Sequence, residues 1–73
     1  MASETPVFST QLIGETAGAV WKALVEDGPM SLSKLVKTVG APRDVVMQAV
    51  GWLAREDKVS FEGTPRNRRV VLR

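Results

Sequence analysis

Apolar residues recur along this chain first with the period of a helix and then with the period of a strand. Ile13, Ala17, Val20, Trp21 and Leu24 fall at i, i+4, i+7, i+8 and i+11, the spacing of an amphipathic helix with one buried stripe. Glu15, Lys22 and Glu26 fall on its other faces. The pattern predicts a helix from Ser9 or Thr10 that stops at Asp27-Gly28-Pro29. Gly28 suits a left-handed terminus and Pro29 cannot continue the helix. A second stripe, Leu32, Leu35, Val36 and Val39, follows Ser31 and ends at Gly40. Ser31 is a good N-cap. A helix of about two turns is too short to persist alone, so it must pack. Pro42 fits the first position of a third helix, and Asp44 lies in its first turn, where the dipole favours an acid. Val46, Ala49, Val50 and Leu53 give that helix a core stripe, with Val45 and Trp52 at its edge, and it runs to about Asp57.

At Lys58 the period drops to two. Val59 and Phe61 alternate with Ser60 and Glu62, and after Gly63-Thr64-Pro65-Arg66-Asn67 the residues Val70 and Leu72 alternate with Arg69 and Arg73. This is the pattern of a β-hairpin with a tip of five or six residues. Val71 falls on the outer face. The fold class that results is α+β: three helices followed by a β-hairpin wing, a winged helix-turn-helix. The hairpin is expected to lay Val59, Phe61, Val70 and Leu72 over helices one and three, with Met30 and Ser31 pairing at its edge as a short third strand. Residues 1–8 are expected to be a flexible tail, because Thr5-Pro6 disfavours helix, with Val7 and Phe8 able to pack as a brief arm. Residues 9–73 form the single domain that 73 residues allow.

Composition narrows the function. The chain has no cysteine and no histidine. That removes thiolate metal sites, disulfides, the commonest general base and the commonest metal ligand. No apolar run approaches the roughly 20 residues a membrane span needs, and MASETPVFSTQ, with no basic stretch ahead of an apolar one, is not expected to be a leader peptide. The expectation is a cytoplasmic binding module without cofactor, metal or catalytic site. The net charge is only +2, but it is unevenly placed. Arg66, Arg68, Arg69 and Arg73 occupy the last eleven residues with no acid, while Glu4, Glu15, Glu26 and Asp27 stand against one lysine, Lys22, in the first 33.

In a helix-turn-helix protein the third helix lies in the major groove. Its outer face here is Arg43, Asp44, Met47, Gln48, Gly51 and Arg55. Gln48 matches adenine, Arg43 or Arg55 matches guanine or phosphate, and Met47 matches a thymine methyl. Gly51 would let a phosphodiester approach. Arg66, Arg68 and Arg69 at the wing would reach phosphates, with Lys34, Lys37 and Lys58 as supporting backbone contacts. The bland alternatives are a mixed solvated helix face and arginines that keep a turn soluble and guard its strand edge. Glu56, Asp57 and Glu62 suggest a surface ion-pair region. Trp21 and Trp52 are expected to supply buried area to a small core, with Trp52 partly exposed as the alternative. Gly14 and Gly18 suggest close packing against helix two or three, or else a homodimer contact through helix one. Two functions follow: double-stranded DNA binding, or a protein-docking winged helix in which Met47, Gly51 and Trp52 form an apolar patch.

The blocks IGETAGAVWKAL, GPMSLSKLVKTVG and QAVGWLAREDKV resemble the small prokaryotic winged helix-turn-helix proteins grouped as a domain of unknown function. The resemblance covers about residues 12–62 and extends in pattern to transcription-regulator winged helices. It implies the fold and a role in DNA binding. It brings no ligand, operator or catalytic residue to carry over.

Overall fold

The computed structural model describes residues 10–73. Its order is α1 (Thr10–Asp27), α2 (Leu32–Val39), α3 (Arg43–Arg55), β1 (Val59–Glu62) and β2 (Arg69–Leu72). The expected tail, residues 1–8, and Ser9 lie outside the described residues.

Local chemistry sets the boundaries. Gly28 takes a φ of 82°, and its N–H donates to the Leu24 carbonyl at 2.9 Å, closing α1. The Ser31 hydroxyl accepts from the Lys34 N–H at 3.1 Å and caps α2. Gly40 ends α2 at a φ of 76°, donating to the Val36 carbonyl at 3.0 Å. Both glycines sit in the left-handed region that penalises any Cβ. Pro42 is one position earlier than expected: its ψ of 144° makes it the N-cap, and Arg43 is the first helical residue. α3 also ends earlier than Asp57. Asp57 turns left-handed at φ 62°, its N–H donates to the Ala54 carbonyl, and the Lys58 N–H donates to the Leu53 carbonyl at 2.9 Å. That pair of bonds is a Schellman ending built on an aspartate instead of a glycine.

The strands pair antiparallel, with Val59 opposite Leu72, Ser60 opposite Val71, Phe61 opposite Val70 and Glu62 opposite Arg69. Met30 forms the third-strand contact: it exchanges both backbone hydrogen bonds with Val70, at 3.3 and 2.8 Å. The loop between α1 and α2 is thereby tied to the returning strand of the wing.

The core is built from small aliphatic residues. Ala17, Val20 and Leu24 of α1 meet Leu35 of α2 and Val46, Ala49, Val50 and Leu53 of α3, and Met30, Val59 and Val70 close it from the hairpin side. Leu32, Val36, Val39 and Leu72 pack around it, half-buried. Two expectations for large side chains, Trp21 and Phe61, are corrected, and Trp52 follows the alternative of partial exposure. Trp21 is 46% exposed and Trp52 is 41% exposed. Alanines at 17, 23 and 49 line the core, and both rings border an open groove instead. Phe61 faces the same way as its partner Val70 but is 52% exposed. Val45, expected at the edge, is buried.

Candidate nucleic-acid interface

The Met30–Val70 pairing holds the start of α2 beside the wing. Between them lies an open cleft of about 640 Å³. Lys34 lines it from the first turn of α2, and Arg66, Arg68 and Arg69 line it from the wing. These four are its only charged residues, so the cleft carries cations and no acid. Ser31, Thr64 and Asn67 add polar atoms to its wall. The first-turn N–H groups of α2 point out of the helix at this end, where the dipole also favours an anion.

The wing tip is residues 63–68, six residues in all. Gly63 has a φ of 102°, and a Cβ there would collide with the Asn67 carbonyl. The Asn67 N–H donates to the Thr64 carbonyl at 3.0 Å and to its hydroxyl at 3.2 Å. This local turn fixes the stretch that carries Arg66 and Arg68.

The cations differ in availability. Arg69 is 3.7 Å from the Glu62 carboxylate, its cross-strand neighbour. Arg66 and Arg68 have no ion-pair partner among the described residues. Lys58 approaches Glu56 at 3.8 Å and Arg73 reaches Asp57 at 2.9 Å. The acids Glu56, Asp57 and Glu62 therefore do form surface ion pairs. At these exposures such pairs contribute at most about 1 kcal/mol each.

The expected site residues divide into groups. Lys34, Arg66, Arg68 and Arg69 converge on the cleft. Arg68 also borders a second pit of about 350 Å³, where Met47 of α3 meets Leu32, Val50, Phe61 and Val70. Arg68 thus links the wing cleft to the face of α3. Arg43, Arg55 and Lys37 are exposed but line neither space. Gln48 is half-buried, and its Oε1 is shielded from solvent with no hydrogen-bond partner. A bidentate contact to adenine needs both ends of the amide, so in this rotamer Gln48 offers one. Met47, Gly51 and Trp52 are all exposed; Met47 borders the pit with Phe61, and Trp52 borders a separate groove with Trp21. Sequence reasoning missed Ser31, Thr64 and Asn67 as cleft residues. The Thr64-to-Asn67 spacing of a side-chain-capped turn was the available signal.

Three helices, a short strand contact and a two-stranded wing define the class: a winged helix-turn-helix domain. The chain belongs to the family described as winged helix-turn-helix domain (DUF2582), whose model matches residues 8–73. It is 48% identical over 50 residues to the uncharacterized protein MJ1608 of Methanocaldococcus jannaschii, covering 64% of this chain and 70% of that protein. It is also similar to the solution NMR structure of protein BT2368 from Bacteroides thetaiotaomicron. That match has a TM-score of 0.79 at 34% identity and covers 89% of this chain and 79% of the other. No helix among the described residues is long and apolar enough to cross a membrane.

Proposed function

We propose that the chain is a non-enzymatic module that binds double-stranded DNA, of the small transcriptional-regulator or nucleoid-associated type. In this reading α3 (Arg43–Arg55) enters the major groove and the wing at 63–69 rests on phosphates. The observation that carries it is the cleft where Lys34, Arg66, Arg68 and Arg69 converge without an acid. A phosphodiester strand matches that arrangement: point charges from several elements, polar hydroxyls and amides between them, and an open path. The face of α3 contributes less, because Gln48 is half-buried and Met47 and Phe61 are apolar. Binding is therefore expected to be stronger than it is selective.

The test is fluorescence anisotropy with a pool of random duplexes at low salt, comparing Lys34→Ala with Lys37→Ala. Both are exposed lysines of α2, and only Lys34 lines the cleft. The expected result is measurable binding that Lys34→Ala weakens more than Lys37→Ala. No binding at low salt, or equal effects of the two lysines, would overturn the proposal.

A further inference from the structure

α1 and the end of α3 border a groove of about 590 Å³ that shares no lining residue with the pit or the cleft. Gly14, Ala17, Gly18, Trp21 and Trp52 line it on one side, the two indoles with 46% and 41% of their surfaces exposed, and the Arg73–Asp57 ion pair and Lys58 line its charged end. The glycines do not pack against helix two or three as expected. A Cβ built at Gly14 or Gly18 meets nothing within 4 Å. Each glycine also costs a helix about 1 kcal/mol relative to alanine. Two large exposed rings, Val25 exposed at 51%, and a smooth helix surface between them form an apolar strip on a small domain.

We propose that this strip is the interface of a homodimer in which α1 of each copy lies antiparallel across the other, centred on Gly18. The argument is self-complementarity. Relative to Gly18, Gln11 and Val25 lie seven residues before and after. Gly14 lies four before and Trp21 three after, and both face the groove. Glu15 lies three before and Lys22 four after, on the opposite edge of the strip. At about 1.5 Å rise and about 100° per residue, a two-fold axis through Gly18 does two things. It sets Trp21 of one copy over Gly14 of the other, within about 1.5 Å along the helix axis. It also sets Glu15 of each copy level, to the same about 1.5 Å, with Lys22 of the second copy. Both pairings fall on matching sides of the interface, because the axis preserves each edge. Within one chain Glu15 and Lys22 are about 10 Å apart along the helix and do not pair. Glu15 accepts from Gln11 Nε2 at 3.2 Å, and neither Glu15 nor Lys22 has an ion-pair partner among the described residues. The glycine backbones let the two axes come closer than the usual 8–10 Å, a typical range of about that size. The second copy's Trp21 then enters the groove beside Trp52. An isologous contact of this kind closes at two copies. The dimer does not rest on the DNA reading and forms without duplex.

The experiment is sedimentation equilibrium on the full chain from low micromolar to millimolar concentration, with tryptophan emission recorded alongside. The expected result is a mass that rises to that of two chains, with a blue shift as the rings are covered. Glu15→Lys or Lys22→Glu alone is expected to weaken association roughly tenfold, since each reverses two symmetric pairs. The double swap Glu15→Lys/Lys22→Glu restores it. Gly18→Glu brings two carboxylates together on the axis and holds the chain monomeric, while its thermal midpoint stays the same or rises. That variant separates lost association from lost folding. A wild-type chain that stays monomeric throughout overturns the proposal, as does a dimer that the double swap fails to rescue. Emission already blue at the lowest concentration, unchanged on concentrating along with the mass, and red-shifted by deleting residues 1–8 would assign the groove to the chain's own N-terminal segment and equally overturn it.

Discussion

Removing Arg66 and Arg68 together gives the cleft a numerical test. Both are exposed and neither has an ion-pair partner among the described residues, so replacing them with alanine breaks no ion pair of the wing. Four cations line the cleft, which sets a ceiling of four phosphate contacts from it. Each contact contributes about 0.9 to the slope of log K against log salt, so four give a slope near about −3.6. Between about 50 and 200 mM salt that slope predicts a loss of roughly 150-fold in affinity. With Lys34 and Arg69 remaining, the slope falls to about −1.8 and the same change in salt costs only about 12-fold. Arg69 already faces Glu62 at 3.7 Å, so part of its counterion is internal and both slopes are upper values. The assay is duplex binding by anisotropy at four or more salt concentrations, with circular dichroism to establish that the double variant is folded. A folded double variant with the slope of the wild type would refute the assignment of phosphates to this cleft.

Three further predictions concern what holds the site in place. Gly63→Ala forces a Cβ into the Asn67 carbonyl at a φ of 102°. It is expected to cost about 2–3 kcal/mol in urea unfolding, and to weaken DNA binding without removing a charge. Ser31→Ala deletes the α2 cap to the Lys34 N–H, with an expected loss of about 1 kcal/mol by the same measurement. Leu35 is fully buried and lies in the central cluster, so Leu35→Ala is expected to cost about 3–5 kcal/mol. A loss under about 1 kcal/mol would mean that α2 is not packed as described.

Much of the fold was legible because its boundaries are local chemistry. Gly28 and Gly40 act through their own backbone and Ser31 through its hydroxyl, and each marks its helix end in sequence. The change from period 3.6 to period 2 at Lys58 located the hairpin, and Met30 was legible as its edge partner. The large side chains were less legible. Periodicity tells which way Trp21 or Phe61 points, not whether anything lies there to cover it. Trp21 follows the buried Val20 but lies three residues after the exposed Gly18, and its ring borders an open groove instead of the core. The arginines of the wing were evident as a run. Separating Lys34 from Lys37 required the Met30–Val70 bridge, which brings only the first turn of α2 alongside the wing. Gln48 was on the expected helix but half-buried, because position on a helix face does not report the rotamer.

The most direct test of the central claim is a titration of the isotopically labelled chain with a duplex, followed by two-dimensional NMR at low salt. The account predicts that the amide shifts concentrate on Ser31, Lys34 and residues 63–69, with smaller changes along the exposed face of α3. Shifts confined to Trp21, Trp52 and the outer face of α1, or none at any ratio of duplex to protein, would contradict it.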